Sequence, residues 1–174
     1  MKLETPEIFP DDFQHLLEQV KSYNTNVESD TPLLWKAYNF AKEAHKSQFR
    51  RSGEPYFVHL YNTAYILAEL NMDTATICAG FLHDILEDTK IPEEVMLNEF
   101  TPQIVQFVKG VTKIGGIKFQ SEQQQQAQNF RKMLLSVADD IRVIIIKFAD
   151  RLHNMRTLGA MPPVKQRRIA RETL

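Results

Sequence analysis

Four stretches of this chain place ionisable or polar side chains where an apolar core would be expected. One holds His59, within Tyr56-Phe57-Val58-His59-Leu60-Tyr61. A second, His83-Asp84-Ile85-Leu86-Glu87-Asp88, follows an apolar run. A third is Asp150, near the end of the most apolar stretch in the chain, and the fourth is Arg50-Arg51-Ser52. Residues four apart on a helix share a face. His83 and Glu87 therefore form one row, and Asp84 and Asp88 the adjacent row. Three neighbouring carboxylates repel one another unless solvated or neutralised, and a divalent cation neutralises them well. Asp150, Asn154 and Thr157 likewise share a face. Two histidines with two aspartates form a mixed nitrogen and oxygen donor set, which suits manganese, iron or zinc better than calcium. A metal so held lowers the pKa of bound water and polarises a phosphate. Glu87 and Asp88, if they are not ligands, are placed to handle protons.

Each group also has a structural reading. A lone buried histidine is usually a hydrogen-bonded core residue, and His59 taken alone reads that way. His45 and His153 read as structural groups or as supports for other side chains, and His15 as a surface residue. Glu87-Asp88-Thr89 alone could be a polar helix end, although carboxylates at a helix C-terminus oppose the macrodipole. Asp150 is the hardest to dismiss, because an unpaired aspartate on a buried helix is expensive. Pairing with Lys147 or Arg151 would be the ordinary way to relieve it.

The elements that must carry these residues read as helices almost throughout. Phe9, Phe13, Leu16, Leu17 and Val20 recur at helical spacing and predict a first helix over roughly 10–23. A loop over 24–30 follows. Thr31-Pro32 reads as an N-cap with proline at the first helical position, opening a helix to about Gln48 with Leu34, Ala37, Tyr38, Ala41 and Ala44 inward. A polar turn at 50–55 precedes a helix to about Leu70. Asp73-Thr74 caps another that is expected to run to about Glu87. Shorter helices are expected over 92–100 and 102–113, with a loop at Gly115-Gly116. The glutamine run 123–126 reads as the solvated start of a helix carrying Phe130, Met133, Leu134 and Val137. The β-branched run from Ile141 could be a strand. Extended through Phe148, Ala149, Leu152 and Met155 it is too long for one, so a buried helix is expected. With no hairpin signal and no βαβ alternation, the fold class is all-α.

Composition narrows the class. A chain of 174 residues with 43% hydrophobic and 25% charged residues suits one domain with a real core. A net charge of -1 gives no reason to expect DNA or an anionic membrane as partner. The single cysteine, Cys78, excludes an intrachain disulfide and a cysteine-based zinc cluster, and its apolar neighbours mark it as a core residue. No signal peptide and no bilayer-spanning run is read, so a cytoplasmic protein is expected. The helical pattern continues to Leu174 without a terminator, so further chain downstream is expected.

With these residues in hand, the chain resembles the hydrolase domain of the RelA/SpoT homologue family. The matching strings are Ala44-His45 with Gln48 and Arg50, Ser52-Gly53-Glu54-Pro55-Tyr56 with His59, Ala79-Gly80-Phe81-Leu82-His83-Asp84 continuing to Glu87-Asp88-Thr89, Gly110-Val111-Thr112-Lys113, Asn129-Phe130-Arg131-Lys132-Met133, and Asp150 through Leu158. They cover about residues 30–174. The resemblance implies an HD-type helical bundle over 31–174 behind an N-terminal segment 1–30, with one bound manganese. It implies His59, His83, Asp84 and Asp150 as metal ligands, and Glu87 and Asp88 as the catalytic acidic pair. Arg50, Arg51 and Ser52 would contact the nucleotide, with Arg50 on the guanine, and Asn154 and Thr157 would line the nucleoside pocket. Lys113 would lie near the site. The implied substrate is guanosine tetra- or pentaphosphate, (p)ppGpp, losing its 3′-pyrophosphate to give GDP or GTP in stringent-response control. Synthetase and regulatory domains, found in full-length members, are not in this chain. Two positions depart from the family pattern: Leu60 stands where proline follows the first histidine, and Arg51 where the loop has lysine. Two other functions compete. One is an HD phosphohydrolase of another nucleotide. The other is a regulatory HD domain with weak or no hydrolysis.

Overall fold

The computed structural model describes residues 6, 8–115 and 140–173. Among these the chain is helical, with no strand and one isolated bridge between Phe49 and Pro55. The helices are α1 (Asp11–Lys21), α2 (Val27–Ala44), α3 (Phe57–Glu69), α4 (Thr74–Leu82), α5 (Ile85–Asp88), α6 (Glu93–Glu99), α7 (Pro102–Gly115), α8 (Ile141–Arg156) and α9 (Pro163–Thr173), with a 3₁₀ turn at Leu158–Ala160. The expected all-α class is the class observed.

Helix α4 is the centre of the bundle. All its residues from Thr76 to Leu82 are buried, and α2, α3, α7 and α8 pack around it. The closest approach is to α3. A Cβ added at Gly80 would lie 2.5 Å from Leu67 Cδ1 and 3.2 Å from the Ala64 backbone, so a side chain there would displace Leu67 and press α4 slightly away from α3. That approach matters for chemistry, because His59 and His83 sit on the two helices at the same end. On the far side, α1 is held by an aromatic cluster. Phe13 meets Phe9, Trp35 and Tyr38 with ring centroids 4.9–5.2 Å apart, and Tyr38 donates from its hydroxyl to Asp12 at 2.9 Å. The N-terminal helix is therefore part of the core. Cys78 is fully buried and burial pushes its thiol up, in keeping with a packing role.

Several boundaries differ from expectation. Helix α2 starts at Val27, not Thr31, and carries Pro32 as its sixth residue. Thr31 donates its hydroxyl back to the Val27 carbonyl at 2.7 Å rather than capping. The helix starts early because Asp30 is anchored in place. Its carboxylate accepts from Thr74 Oγ1 at 2.6 Å and from Asn24 Nδ2 at 2.9 Å. The proline removes one helical hydrogen bond, and the carbonyl that loses its donor belongs to the exposed Glu28. Helix α2 also ends at Ala44, short of Gln48. Helix α7 continues through Gly115, where a loop was expected. The helix expected over 73–87 is broken: α4 ends at Leu82, His83 and Asp84 form a turn, and α5 resumes at Ile85. Asp84 has φ -96° and ψ 0°, flatter than a helix, yet Asp88 N still bonds to Asp84 O at 2.8 Å. Helix α8 is helical as expected but not buried all round. Val143, Ile146, Ala149, Asp150 and His153 face inward, while Ile141, Phe148 and Leu152 are exposed. The helix expected around Phe130 to Val137 and the glutamine run lie outside the described residues.

Asp73 ties this frame together. Its side chain caps α4 by accepting from Thr76 N at 3.0 Å and takes an ion pair from Arg142 of α8 at 2.9 Å. Burial alone would raise its pKa. The bonds from Arg142 and Thr76 outweigh that and hold it below the usual carboxylate value. A carboxylate with a depressed folded pKa stabilises above its unfolded pKa and loses that contribution as pH falls through the folded one. Asp73→Ala is expected to cost about 1 kcal/mol, or roughly 2–4 °C in Tm. Asp73→Asn, which keeps a good cap, should cost less. Thermal melts from pH 3 to 8 should show the wild-type advantage over Asp73→Asn flat above about pH 5 and fading below about pH 4; an advantage that grows on acidification would contradict this account.

Candidate metal centre

Three elements bring the polar groups together. His59 stands in the first turn of α3, His83 and Asp84 form the turn that ends α4, and Asp150 lies on the inward face of α8. Ligand-capable atoms of His59, His83 and Asp150 all lie within 4.8 Å of one another. His59 Nε2 is 3.3 Å from Asp150 Oδ1 and 3.8 Å from Asp84 Oδ2. His83 Nε2 is 3.1 Å from Asp84 Oδ2 and 3.9 Å from Asp150 Oδ1. Two donors each about 2.1 Å from a shared cation are roughly 3.0–3.4 Å apart at octahedral cis or tetrahedral angles and about 4.2 Å apart at octahedral trans positions. The 3.1 and 3.3 Å spacings lie in the first range and the 3.8 and 3.9 Å spacings between the two, close enough for small side-chain shifts to seat one ion. All four residues are buried, His83 completely.

Proton accounting sharpens the fit. His83 Nδ1 is 2.8 Å from the Gly80 carbonyl, which can only accept, so Nδ1 carries the hydrogen. His83 Nε2 then points at the carboxylates, is fully buried and makes no hydrogen bond. A buried nitrogen facing carboxylates needs positive charge between them, supplied either by its own protonation or by a metal ion that takes the proton's place. Burial lowers the His83 pKa, but Asp84 and Asp150 outweigh it and raise it to about 9. Burial alone would raise Asp84 and Asp150. The neighbouring histidines, and Lys147 beside Asp150, hold both below the usual carboxylate range. Burial lowers the His59 pKa.

The two readings of Asp150 are not exclusive. Lys147 Nζ does pair with Asp150 Oδ2 at 2.8 Å. Oδ1 remains for the centre and also accepts from Asn154 Nδ2 at 2.6 Å. From the sequence, Lys147 offers itself only as a structural partner for Asp150. Its signal was its place three residues before Asp150, which puts it on the same helix face.

Glu87 and Asp88 lie beside the cluster on α5 and are exposed. Burial raises the Glu87 pKa; Lys147 opposes the rise, and Asp84 and Asp88 add to it. Asp88 is held at two points. Its carboxylate meets the Tyr56 hydroxyl at 2.9 Å, and its carbonyl accepts from Gln48 Nε2 at 2.7 Å. The Tyr56 hydroxyl also reaches Asp84 Oδ2 at 2.7 Å, so one phenol bridges the buried and exposed carboxylates. Neither Tyr56 nor Gln48 had been given a role from the sequence, since nothing in their spacing reveals a contact made across the turn. His45 is buried as expected, stacked on Tyr56 with centroids 5.1 Å apart.

The turn before α3 delivers the arginines. Tyr56 N bonds to Gln48 O, Arg50 N to Glu54 O, and Gly53 N to Arg50 O, closing a tight loop. Gly53 has φ +88°, a backbone that disfavours any side chain. Arg50 turns inward to His153 Nδ1 at 3.2 Å and Asn154 Oδ1 at 2.6 Å. Arg50, Arg51, Ser52 and Thr157 line one small cleft with Ala160 and Met161. Thr157 donates its hydroxyl to the His153 carbonyl at the end of α8. Lys113 lies elsewhere, exposed on α7 along a groove of about 220 Å³ with Glu93, Lys109 and Asp140. Leu60 is fully buried in the hydrophobic core, so the departure from proline supplies packing rather than a group at the centre. His15 is exposed, stacked on Tyr65.

A helical bundle with two histidines and two aspartates converging from three helices defines a class. The HD domain family model matches residues 37–174, and the chain belongs to that family. Within it, the resemblance to RelA/SpoT homologues is borne out by the curated relatives. The chain is 45% identical over 171 residues to a probable guanosine-3′,5′-bis(diphosphate) 3′-pyrophosphohydrolase of Synechocystis sp., covering 98% of this chain and 22% of that protein. It is 46% identical over 162 residues to the bifunctional (p)ppGpp synthase/hydrolase SpoT of Escherichia coli, covering 93% and 23%. It thus spans under a quarter of the length of these relatives. A solved structure of a metazoan SpoT ortholog, described as hydrolysing ppGpp, shares the fold with a TM-score of 0.59 at 22% identity, covering 94% of this chain and 82% of that one. No helix among the described residues is long and apolar enough to cross a membrane.

Divalent metal should bind and stabilise this chain. At a hundredfold excess over Kd the expected gain is about 2.7 kcal/mol. Titration of chelator-treated protein with Mn²⁺, followed by thermal melts, checks this. Asp84→Ala or Asp150→Ala should abolish the gain, and an unchanged gain in both would exclude the cluster as the site.

Proposed function

We propose that this chain is a manganese-dependent phosphohydrolase that removes the 3′-pyrophosphate of (p)ppGpp, releasing GDP or GTP. The observation that carries the proposal is the buried convergence of two histidine nitrogens and two carboxylates, with Glu87, Asp88 and Arg50 around it. The relatives named as 3′-pyrophosphohydrolases favour this substrate. In this reading His59, His83, Asp84 and Asp150 hold one Mn²⁺. When bound, such an ion polarises phosphate and lowers the pKa of water.

The chain's own residues supply the rest. Glu87 is exposed beside the cluster and more basic than an ordinary glutamate, which suits it to accept a proton from the attacking water. Asp88, held by Tyr56 and Gln48, is placed to orient that water or return a proton to the departing oxygen. Arg51 and Ser52, at the cleft with Thr157, contact the nucleotide phosphates and sugar. Arg50 makes its hydrogen bonds from the guanidinium edge, an arrangement compatible with guanine stacking on its face. Asn154 and Thr157 line the nucleoside pocket, and Lys113 stays a more distant phosphate attractor. The hydrolase unit spans 31–174 in this reading, and α1 of the preceding segment packs onto it. The site of action is the cytoplasm, where the alarmone would be cleared in stringent-response control. A longer protein would add synthetase and regulatory domains, as in the relatives of which this chain matches a part.

The test is turnover. Chelator-treated protein is given ppGpp with and without Mn²⁺, and products are separated by anion exchange. GDP and pyrophosphate should form only with metal. Asp84→Ala should abolish the reaction, and Glu87→Gln should slow it roughly 10²–10⁴-fold while leaving metal binding intact. Tight ppGpp binding without turnover would favour a regulatory domain. Turnover of another nucleotide but not ppGpp would favour a different HD substrate.

A further inference from the structure

The chain's own proton inventory runs outward from the centre to Arg50. A guanidinium only donates, so Arg50 Nη1 at 3.2 Å makes His153 Nδ1 an acceptor. His153 then carries its hydrogen on Nε2, as a neutral ring. His59 Nδ1 lies 2.8 Å from that same His153 Nδ1. Two lone pairs cannot face each other at this distance, so His59 Nδ1 carries the hydrogen, and the single lone pair of His153 Nδ1 is shared between the His59 donor at 2.8 Å and the longer Arg50 donor at 3.2 Å. His59 Nε2 is left with its lone pair facing Asp150 Oδ1 and Asp84 Oδ2. Both rings are buried, so a polar nitrogen left without its partner would be costly.

A second leg runs in parallel. Arg50 Nη2 donates to Asn154 Oδ1 at 2.6 Å, which turns the Asn154 amide so that Nδ2 donates to Asp150 Oδ1. One guanidinium therefore sets the hydrogen-bond direction of two chains, one ending on His59 and the other on Asp150.

We infer that His153 is a positioning residue of the metal centre, its tautomer set by Arg50, and that this directed network couples the Arg50–Ser52 loop to metal binding. The inference rests on the reading of His59, His83, Asp84 and Asp150 as the ligand set. Coupling of this kind is reciprocal: what orders Arg50 tightens the metal, and the metal orders Arg50.

Arg50 provides a test of opposite sign. On simple electrostatics, removing a positive charge near a cation site strengthens metal binding. The network requires the reverse. In the 174-residue chain, Arg50→Leu should bind Mn²⁺ several-fold more weakly by calorimetry. His153→Phe, which keeps the shape and removes the acceptor, should lose about 10–100-fold in Mn²⁺ affinity. His153→Asn, whose amide oxygen replaces Nδ1, should stay within about threefold of wild type. Long-range ¹H–¹⁵N histidine spectra of metal-free wild type should give His59 as the Nδ1–H tautomer and His153 as Nε2–H. The inference is overturned by His59 appearing as Nε2–H, by His153→Phe binding Mn²⁺ like wild type, or by Arg50→Leu binding as tightly or more tightly. Its failure is separable from that of the hydrolase reading. Metal affinity that depends on His153 without ppGpp turnover sinks the hydrolase reading alone, and turnover with metal affinity indifferent to His153 sinks this inference alone.

Discussion

Two aspartates buried side by side need positive charge, and most of the architecture around the centre follows from how that need is met. Asp84 is 8% exposed and Asp150 6%. Ionised carboxylates so placed are tolerated only when paired and hydrogen-bonded. Lys147 supplies one cation, to one oxygen of Asp150. Tyr56 and Asn154 supply hydrogens to one oxygen of each aspartate. The remaining demand falls on the space that His59 Nε2 and His83 Nε2 also face, and a divalent ion would meet it with a single particle. The fold makes this demand possible by bringing three backbones close. Gly80 lets α4 meet α3, and α8 packs on both. A bundle with looser α3 to α4 contact would separate the two imidazoles and dissolve the site.

The surroundings of the centre are graded by burial. Asp84 and Asp150 are inside, held ionised and fixed in direction. Glu87 and Asp88 lie one turn on along the same chain, but outside. This division follows from the break at His83-Asp84. A continuous helix would have kept His83, Asp84, Glu87 and Asp88 on two regular rows. The flattened backbone at Asp84 instead ends α4 inside the core and starts α5 toward solvent. Tyr56 spans the boundary, with its hydroxyl on both an inner and an outer carboxylate.

Much of this was legible in the sequence, and what was not has physical reasons. Helix identity followed from apolar spacing, and the caution over Ile141–Ile146 resolved to helix because the apolar pattern outran strand length. Asp73 as a cap was readable because capping is local chemistry. The start of α2 was not, because Thr31-Pro32 is a good local signal overridden by a tertiary one: Thr74 and Asn24 fix Asp30 and carry the helix back to Val27. The break at His83 was hidden for the same reason, since no glycine or proline marks it. Helix α8 was overestimated in burial because its β-branched run looks apolar all round, while Phe148 and Leu152 face out. The cluster His59, His83, Asp84 and Asp150 was visible as polar residues in apolar settings. Contacts made across the turn at 48–56, from Gln48, Arg50 and Tyr56, were not, because no periodicity links a loop to partners 28 to 104 residues away.

The division between inner and outer carboxylates also bears on why a further histidine, His153, stands behind the proposed ligand pair. A metal site built only from its ligands would tolerate either imidazole tautomer and would depend on the ion to select one. Here the backbone selects for His83, through the Gly80 carbonyl. Backbone carbonyls are fixed by the helix, so that choice costs nothing to maintain and answers to nothing outside α4. His59 is treated differently. Its partner is a side chain, His153, which takes its own direction from a loop arginine. One imidazole is thus set by the frame and the other by the surface loop. A site meant only to hold an ion would have no use for the second arrangement, since a carbonyl would serve both rings. Routing one ligand through Arg50 makes the state of the loop a variable of the centre, and that is the property expected where the group next to the ion must respond to whether the pocket beside it is filled.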